Sequence, residues 1–327
     1  MDKKWLAGVT VLFVLLTYLF MSFAHHSSKM GSIVKELQGR PGNGEHRYHI
    51  VLIEQERYNP YWVRVEKGAE QAAKELGIDI EFAGAIRNNM EEQLSLLEKA
   101  IAARVDAIIV QGLNEESFTP VIDKAVRRGI PVITIDTDAP GSKRLAYVGT
   151  DNEAAGERLG RLIVQTTGGV GKIGVIIGSD QAESQLQRLN GLKKAVADYK
   201  GLELVEVRSS NISHMQAIQQ AANMLMRHPE ITIMVGTSAT DAMGVLQAAQ
   251  SLKRDKLKII GFDNQKETLD AITRGQIEAS VAQQPFLMGQ MAVQLLNEHF
   301  QGKQLEPDYF TDVKVLDKSN AMEGESL

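Results

Sequence analysis

Short β-branched runs recur along this chain of 327 residues, and each is followed by a polar or aromatic residue and then by a helical pattern. Asn59, Tyr61 and Trp62 follow HIVLIEQ, Gln111 follows DAIIV and Asp136 follows PVITI. Further on, Ser238 follows ITIMV, Asp263 follows LKIIGF and Gln283 follows EASVA. Strand and helix alternate in this way in parallel α/β sheets. Ligands of such sheets sit in the crevice outside the carboxyl ends of the strands, so these residues are expected to gather in one polar, aromatic-lined cleft.

From Tyr48 onward the hydrophobic period switches repeatedly between two and 3.6. It predicts strands over 48–54, 79–84, 106–110, 131–135, 146–149, 172–177, 203–207, 231–235, 257–261, 277–282 and 310–315. Helices are predicted near 60–76, 90–104, 115–128, 153–167, 184–199, 214–227, 240–252, 264–274 and 286–301. The first helix carries an apolar stripe through Val63, Val65, Ala69, Ala72, Ala73 and Leu76, with Gly77 placed to end it. Two similar halves result. The short loop Gly149 to Asn152 lies between them, short enough to act as a hinge, and opens a helix with Glu153 in its first turn. The polar tail Ser319 to Leu327 is expected to fray.

Composition narrows the function. With 43% hydrophobic and 24% charged residues the chain can bury sizeable cores, and its length suggests two domains. A net charge of -5 leaves no basic excess for phosphates, so no nucleic-acid partner is expected. Cysteine is absent, which excludes disulfides, thiolate metal sites, cysteine nucleophiles and a lipid-modified cysteine anchor. Membrane attachment would then fall to peptide, and Trp5 to Ala24 is an apolar run of 20 residues, long enough to cross a hydrocarbon core of about 30 Å. Lys3 and Lys4 precede it, so the positive-inside rule leaves the N-terminus in the cytoplasm and the rest outside. The alternative is a signal peptide cleaved after Ala24, which would release the protein. Residues 25–47 read as a Gly/Pro/Asn-containing stalk.

Six motifs in one order carry a resemblance: YNPYWVRVEKGAEQAAKELG (58–77), RGIPVITIDTDAP (128–140), YVGTDNEAAGERLG (147–160), QRLNGLKKAV (187–196), IIGFDNQKETLDAI (259–272) and VAQQPFLMG (281–289). Over residues 48–318 the chain resembles the ribose- and galactose-type periplasmic sugar-binding proteins, the type I solute-binding fold. The resemblance implies two Rossmann-like α/β lobes joined by three crossings, near Thr150 to Asn152, Gln283 to Gln284 and Asp308 to Phe310. Residues 48–150 with 284–308 would form one lobe, and 151–283 with 309–327 the other. Position by position, Asn59 with Tyr61 and Trp62 resembles the sugar-contacting turn, Asp136 the first-lobe carboxylate, and Arg188 the second-lobe arginine. Phe262 and Asp263 resemble the second-lobe Phe-Asp and Gln283 the hinge-proximal glutamine, while Gln111, Thr137, Thr150 and Ser238 stand at positions near the ligand. Carboxylates and a guanidinium suit paired sugar hydroxyls, and aromatic rings suit the sugar's apolar face. Two departures, Ser238-Ala239 in place of Asn-Asp and Thr137 in place of arginine, argue against ribose itself.

Other motifs fail on spacing. GGVGKIG (168–174) lacks the first glycine and the hydroxyl of a phosphate loop, and DTDAPG (136–141) has Tyr147 where a calcium loop needs glutamate. GTSAT (236–240) lacks the second glycine of a nucleophile elbow, and the seven histidines show no metal-ligand spacing. Asp136 and Asp263 could flank a glycosidic bond, but nothing else supports catalysis. A lactose-repressor-type regulator would need a helix-turn-helix where this chain has its apolar run. The expectation is a monomeric, non-enzymatic sugar-binding protein without cofactor or metal, whose partner is an ABC permease or a membrane histidine kinase.

Overall fold

The computed structural model describes residues 47–87 and 89–326. The apolar run 5–24 and the stalk up to residue 46 lie outside them. Among the described residues no helix is long and apolar enough to cross a membrane. Residues 48–327 form one compact unit.

The chain enters through β1 (His49–Glu54), α1 (Pro60–Leu76), β2 (Asp79–Gly84), α2 (Met90–Ala103), β3 (Ala107–Val110), α3 (Glu115–Arg127), β4 (Val132–Ile135) and β5 (Ala146–Thr150). A second series follows: α4 (Asn152–Thr167), β6 (Val170–Ile177), α5 (Glu183–Ala197), β7 (Gly201–Ser209), α6 (His214–Arg227), β8 (Ile233–Gly236), α7 (Asp241–Ser251), β9 (Lys258–Phe262), α8 (Lys266–Thr273) and β10 (Ala279–Ala282). Then come α9 (Pro285–Phe300), β11 (Asp308–Thr311), β12 (Lys314–Asp317) and a 3₁₀ turn, Ala321–Ser326.

Two six-stranded sheets result, ordered β11-β5-β4-β3-β1-β2 and β12-β10-β9-β8-β6-β7. Pairing is parallel except between β10 and β12. The order 2-1-3-4-5 therefore occurs twice, and each half has its switch point between its first and third strands. Strands buried on both faces explain the continuous apolar runs: Ile50 and Leu52 of β1 enter one cluster while Val51 and Ile53 enter the opposite one. Asn59 caps α1 by accepting from the Tyr61 N–H, Pro60 follows it, and Gly77 ends the helix at φ 68°.

The third crossing differs from expectation. The run 310–315 reads as one strand, but Thr311 ends β11 in the first sheet and Lys314 begins β12 in the second. The chain crosses at 312–313 rather than at Asp308 to Phe310, so 308–311 belong with the first half. Hydrophobic alternation continues through the crossing and carries no mark of the change of sheet. The tail differs too. Residues 321–326 form the 3₁₀ turn, Ala321 is buried in the core of the second half, and Gly324 packs so closely on Leu269 and Leu316 that a Cβ there would lie 2.9 and 2.7 Å from their side chains.

One buried acid belongs to the fold and not to the cleft. Glu54, at the end of β1, is 0% exposed. Burial, then the neighbouring Glu66 carboxylate, pushes its carboxyl up to about 8, partly offset by Arg57. A carboxyl raised from 4.5 to about 8 contributes stability that is complete below 4.5 and is lost as pH rises to 8. Glu54→Gln is expected to match the parent near pH 4 and to exceed it by about 1–3 kcal/mol at pH 8. Urea unfolding across that range checks this; parallel curves for the two chains would reject it.

Candidate functional site

The carboxyl ends of both sheets converge on one cavity of about 70 Å³, several times the roughly 10–15 Å³ that one water needs. The first half brings Gln55 and Asn59 after β1, Tyr61 and Trp62 from the start of α1, Gln111 and Leu113 after β3, and Asp136 and Thr137 after β4. The second half brings Ala182, Ser184, Gln185 and Arg188, Ile212, Ser238 and Ala239, Asp263 and Gln283.

The same turn is built twice, once at the end of each fourth strand. Asp136 (φ 66°) and Asp263 (φ 65°) both take the left-handed conformation, which Asp tolerates better than most side chains. The Asp136 N–H donates to Val148 O at 3.0 Å, and the Asp263 N–H to Val281 O at 2.8 Å. Their carbonyls accept from Tyr147 Oη at 2.8 Å and from Ser280 Oγ at 2.6 Å. The strained geometry is thus tied down on both sides, and each carboxylate points from its strand end into the cleft.

Asp136 accepts from Tyr61 Oη on Oδ1 at 2.6 Å and from Gln111 Nε2 on Oδ2 at 2.7 Å. Burial, followed by the charges of Asp136 and Asp263, holds the Tyr61 phenol well above its ordinary range, so it remains a donor. Asp263 accepts from Gln283 Nε2 at 2.9 Å, and Gln283 Oε1 in turn accepts from Thr150 Oγ1 at 2.8 Å. Burial raises the Asp263 carboxyl to about 6, with Arg188 opposing the shift.

Arg188 is buried, and its guanidinium lies 3.5 Å above the centroid of Phe262. Its Nη1 donates to Thr237 O and its Nη2 to Asn152 Oδ1, each at 2.5 Å. Burial lowers its pKa, while Asp263 and Asp136 act the other way. Ser238 is held by buried Asp241, which accepts from its N–H at 2.9 Å and from Ser210 Oγ at 2.7 Å. Burial lifts the Asp241 carboxyl to about 6 against these hydrogen bonds. Ile212 lines the cavity at φ 56°, an unusual conformation for a β-branched residue, held by its N–H to Gly178 O at 2.7 Å.

Four buried polar atoms of the lining have no partner within the protein: Gln55 Nε2, Gln111 Oε1, Arg188 Nε and Ser238 Oγ. Buried polar groups are ordinarily satisfied, at a cost of about 1–3 kcal/mol each when they are not. Two donors, one acceptor and one hydroxyl, carried by lining residues of both halves, are therefore left unpaired around one cavity. A small molecule rich in hydroxyls, each both donor and acceptor, matches that set. Among the described residues no group of three His, Asp or Glu could hold a metal ion.

Of the residues singled out from sequence, Asn59, Tyr61, Trp62, Gln111, Asp136, Thr137, Arg188, Ser238, Asp263 and Gln283 line the cavity. Phe262 and Thr150 do not. Side chains alternate along a strand, so Phe262 points into the core, 0% exposed, and stacks under Arg188. Thr150 faces a neighbouring cleft beside Asp151 and Phe310 and is joined to the site through its hydroxyl on Gln283 and through its carbonyl on Asn152, which in turn holds Arg188. Sequence reasoning missed Gln55, Leu113, Ala182, Ser184, Gln185, Ile212 and Ala239. Gln55 directly follows β1, which was a usable signal; the others lie in loops or first helical turns with no local pattern.

The sequence profile of the periplasmic binding protein domain family matches residues 50–304. Ribose import binding protein RbsB of Bacillus subtilis (strain 168) is 30% identical over 257 residues, covering 79% of this chain and 83% of that protein. Among solved structures, GanP, a glucose-galactose binding protein from Geobacillus stearothermophilus, is 44% identical with a TM-score of 0.83 over 84% of this chain and 99% of its own. A structure titled XylFII-LytSN complex is 35% identical with a TM-score of 0.79 over 84% and 98%.

Proposed function

Because this chain belongs to the type I periplasmic sugar-binding family, we propose that it closes on one monosaccharide outside the cytoplasm, while anchored to the membrane, and delivers it to an ABC permease. The observation that carries the sugar is the convergence of Gln55, Gln111, Arg188 and Ser238, each with an unpaired buried polar atom, on a cavity that also holds two carboxylates. Asp136 with Asn59 from one half and Arg188 with Asp263 from the other would contact the ligand together, so the sugar stabilises the closed form. Two carboxylates against one guanidinium disfavour a strongly anionic ligand. Tyr61 and Trp62 offer the apolar face, their rings edge to face at 5.6 Å between centroids. GanP, described as a glucose-galactose binding protein, makes hexoses the first candidates.

The anchor rests on the uninterrupted run Trp5 to Ala24 and the absence of a cysteine for lipidation. A second reading, a sensor subunit that presents sugar occupancy to a membrane histidine kinase, is favoured by the XylFII-LytSN complex, in which a protein of this architecture carries a second protein. A peptide anchor suits either role.

D-glucose or D-galactose at a hundred times its dissociation constant is expected to add about 2.7 kcal/mol of apparent stability to the full chain. A thermal-shift screen over sugars, polyols, amino acids and nucleosides checks this. Stabilisation only by amino acids or nucleosides would reject the sugar. In cells, the protein should sediment with membranes, and loss of its gene should abolish uptake of the labelled sugar. Recovery in the medium with His25 as first residue would reject the anchor, and intact uptake with lost sugar-dependent transcription would replace delivery by sensing.

A further inference from the structure

The two halves touch each other directly as well as facing a common cavity. The hydroxyls of Thr137 and Ser184 lie 2.9 Å apart, and Ala182 of the second half is buried in the apolar cluster of Leu113, Phe118 and Ala139 in the first. A further polar contact between the halves joins Arg64, on α1, to Asn264, 200 residues away and directly after Asp263: Arg64 Nη1 donates to Asn264 Oδ1 at 2.5 Å. Asn264 is 4% exposed, and its other amide atom is also committed, because Nδ2 donates to the carbonyl of Gly324 at 2.7 Å.

An amide can turn over and exchange its oxygen and nitrogen. A carbonyl accepts only from the nitrogen, so Gly324 O selects the one orientation in which Oδ1 meets the guanidinium of Arg64. The turn 321–326 that supplies this carbonyl is itself seated by buried Ala321 and by Gly324 against Leu269 and Leu316. Asn264 shares its turn with Asp263, so a ligand held by that carboxylate seats the interlobe contact at the same time.

We propose that Arg64, Asn264 and the Gly324 carbonyl form a latch that holds the two halves closed, with the C-terminal turn as the positioning element for the Asn264 amide. The proposal rests on the sugar-binding reading for its ligand but not for its geometry. Arg64 touches no ligand in this scheme; it acts on release. A contact made only on closure slows opening and leaves encounter unchanged, so the latch lowers the dissociation rate.

The test uses the full chain, whose lack of cysteine allows labels at two introduced sites, Glu116→Cys in the first half and Met215→Cys in the second, both exposed. Interlabel distances are measured by pulsed dipolar spectroscopy without sugar, and D-glucose association and dissociation by stopped flow. Arg64→Ala and a chain lacking 322–327 are each expected to shift sugar-free distances to longer values. Each should also release D-glucose about tenfold faster at an unchanged association rate. In the shortened chain, Asn264→Asp is expected to restore slow release, because a carboxylate presents acceptor oxygens in either orientation and needs no Gly324 to aim it. A merely destabilised tail would not be rescued in this way. Unchanged distances and release rates in both Arg64→Ala and the shortened chain would overturn the latch, as would failure of the rescue in a chain that melts with the parent. Should the parent bind no sugar, the sugar reading falls, and the sugar-free distances still decide the latch.

Discussion

Arg188→Ala is expected to weaken sugar binding at least a hundredfold and to lower the melting temperature of the sugar-free protein. Two separate losses combine. The site loses Arg188 Nε, the one guanidinium nitrogen without a partner in the protein, and a charge-assisted hydrogen bond in a closed cleft contributes about 1.5–3 kcal/mol. The scaffold loses the donors to Thr237 O and Asn152 Oδ1 and the stacking on Phe262, which leaves two buried acceptors unpaired at about 1–3 kcal/mol each. Removing the cation also leaves Asp136 and Asp263 to face each other without the charge that offsets them. Arg188→Lys should fall between, since a single ammonium cannot serve Thr237, Asn152 and a ligand from one plane. Titration calorimetry with the sugar found by screening, and thermal unfolding without it, measure the two effects. An affinity within threefold of the parent would remove Arg188 from the site.

Gly156→Ala is expected to cost about 1–3 kcal/mol of stability and to carry a loss of affinity with it. Gly156 on α4 meets α5 so closely that a Cβ there would lie 2.0 Å from Arg188 O, and the reciprocal Gly191 on α5 would place one 2.0 Å from Glu153 O. The same pair of contacts recurs in the other half, where a Cβ on Gly68 of α1 would lie 1.9 Å from Phe286 O and one on Gly289 of α9 2.0 Å from Val65 O. Backbone carbonyls cannot swing aside as side chains do, so the helices must separate. Separation of α4 from α5 moves Arg188 away from Asn152 and from the cavity, which is why binding should fall together with stability. Denaturant unfolding and calorimetry on the same preparation read both. A melting temperature unchanged to within a degree would mean that the helices part without cost.

Much of the site was legible because a parallel sheet sends every strand's carboxyl end to one edge. A polar residue just after a β-branched run is therefore placed by the sheet itself, and Gln111, Asp136, Ser238, Asp263 and Gln283 all meet in one cavity for that reason. Phe262 shows the limit of the rule. It stands beside Asp263 in sequence, yet alternation along β9 turns it into the core, where it supports Arg188 from beneath. Ile212 and Gln185 reach the cavity from a strained loop and a first helical turn, positions to which neither hydrophobic period assigns a face.

The sequence by itself determined the alternation of strand and helix, the two halves and the residues at the strand ends, because period, caps and β-branched runs act between near neighbours. Only the tertiary structure decided where the third crossing lies, which aromatic rings face the cavity, that the polar tail packs, and that Arg64 meets Asn264. Those outcomes depend on segments as much as 200 residues apart being packed against one another. Local sequence carries no record of such distances, since the energy that settles them comes from burial and hydrogen bonding between surfaces that form only when both sheets are complete.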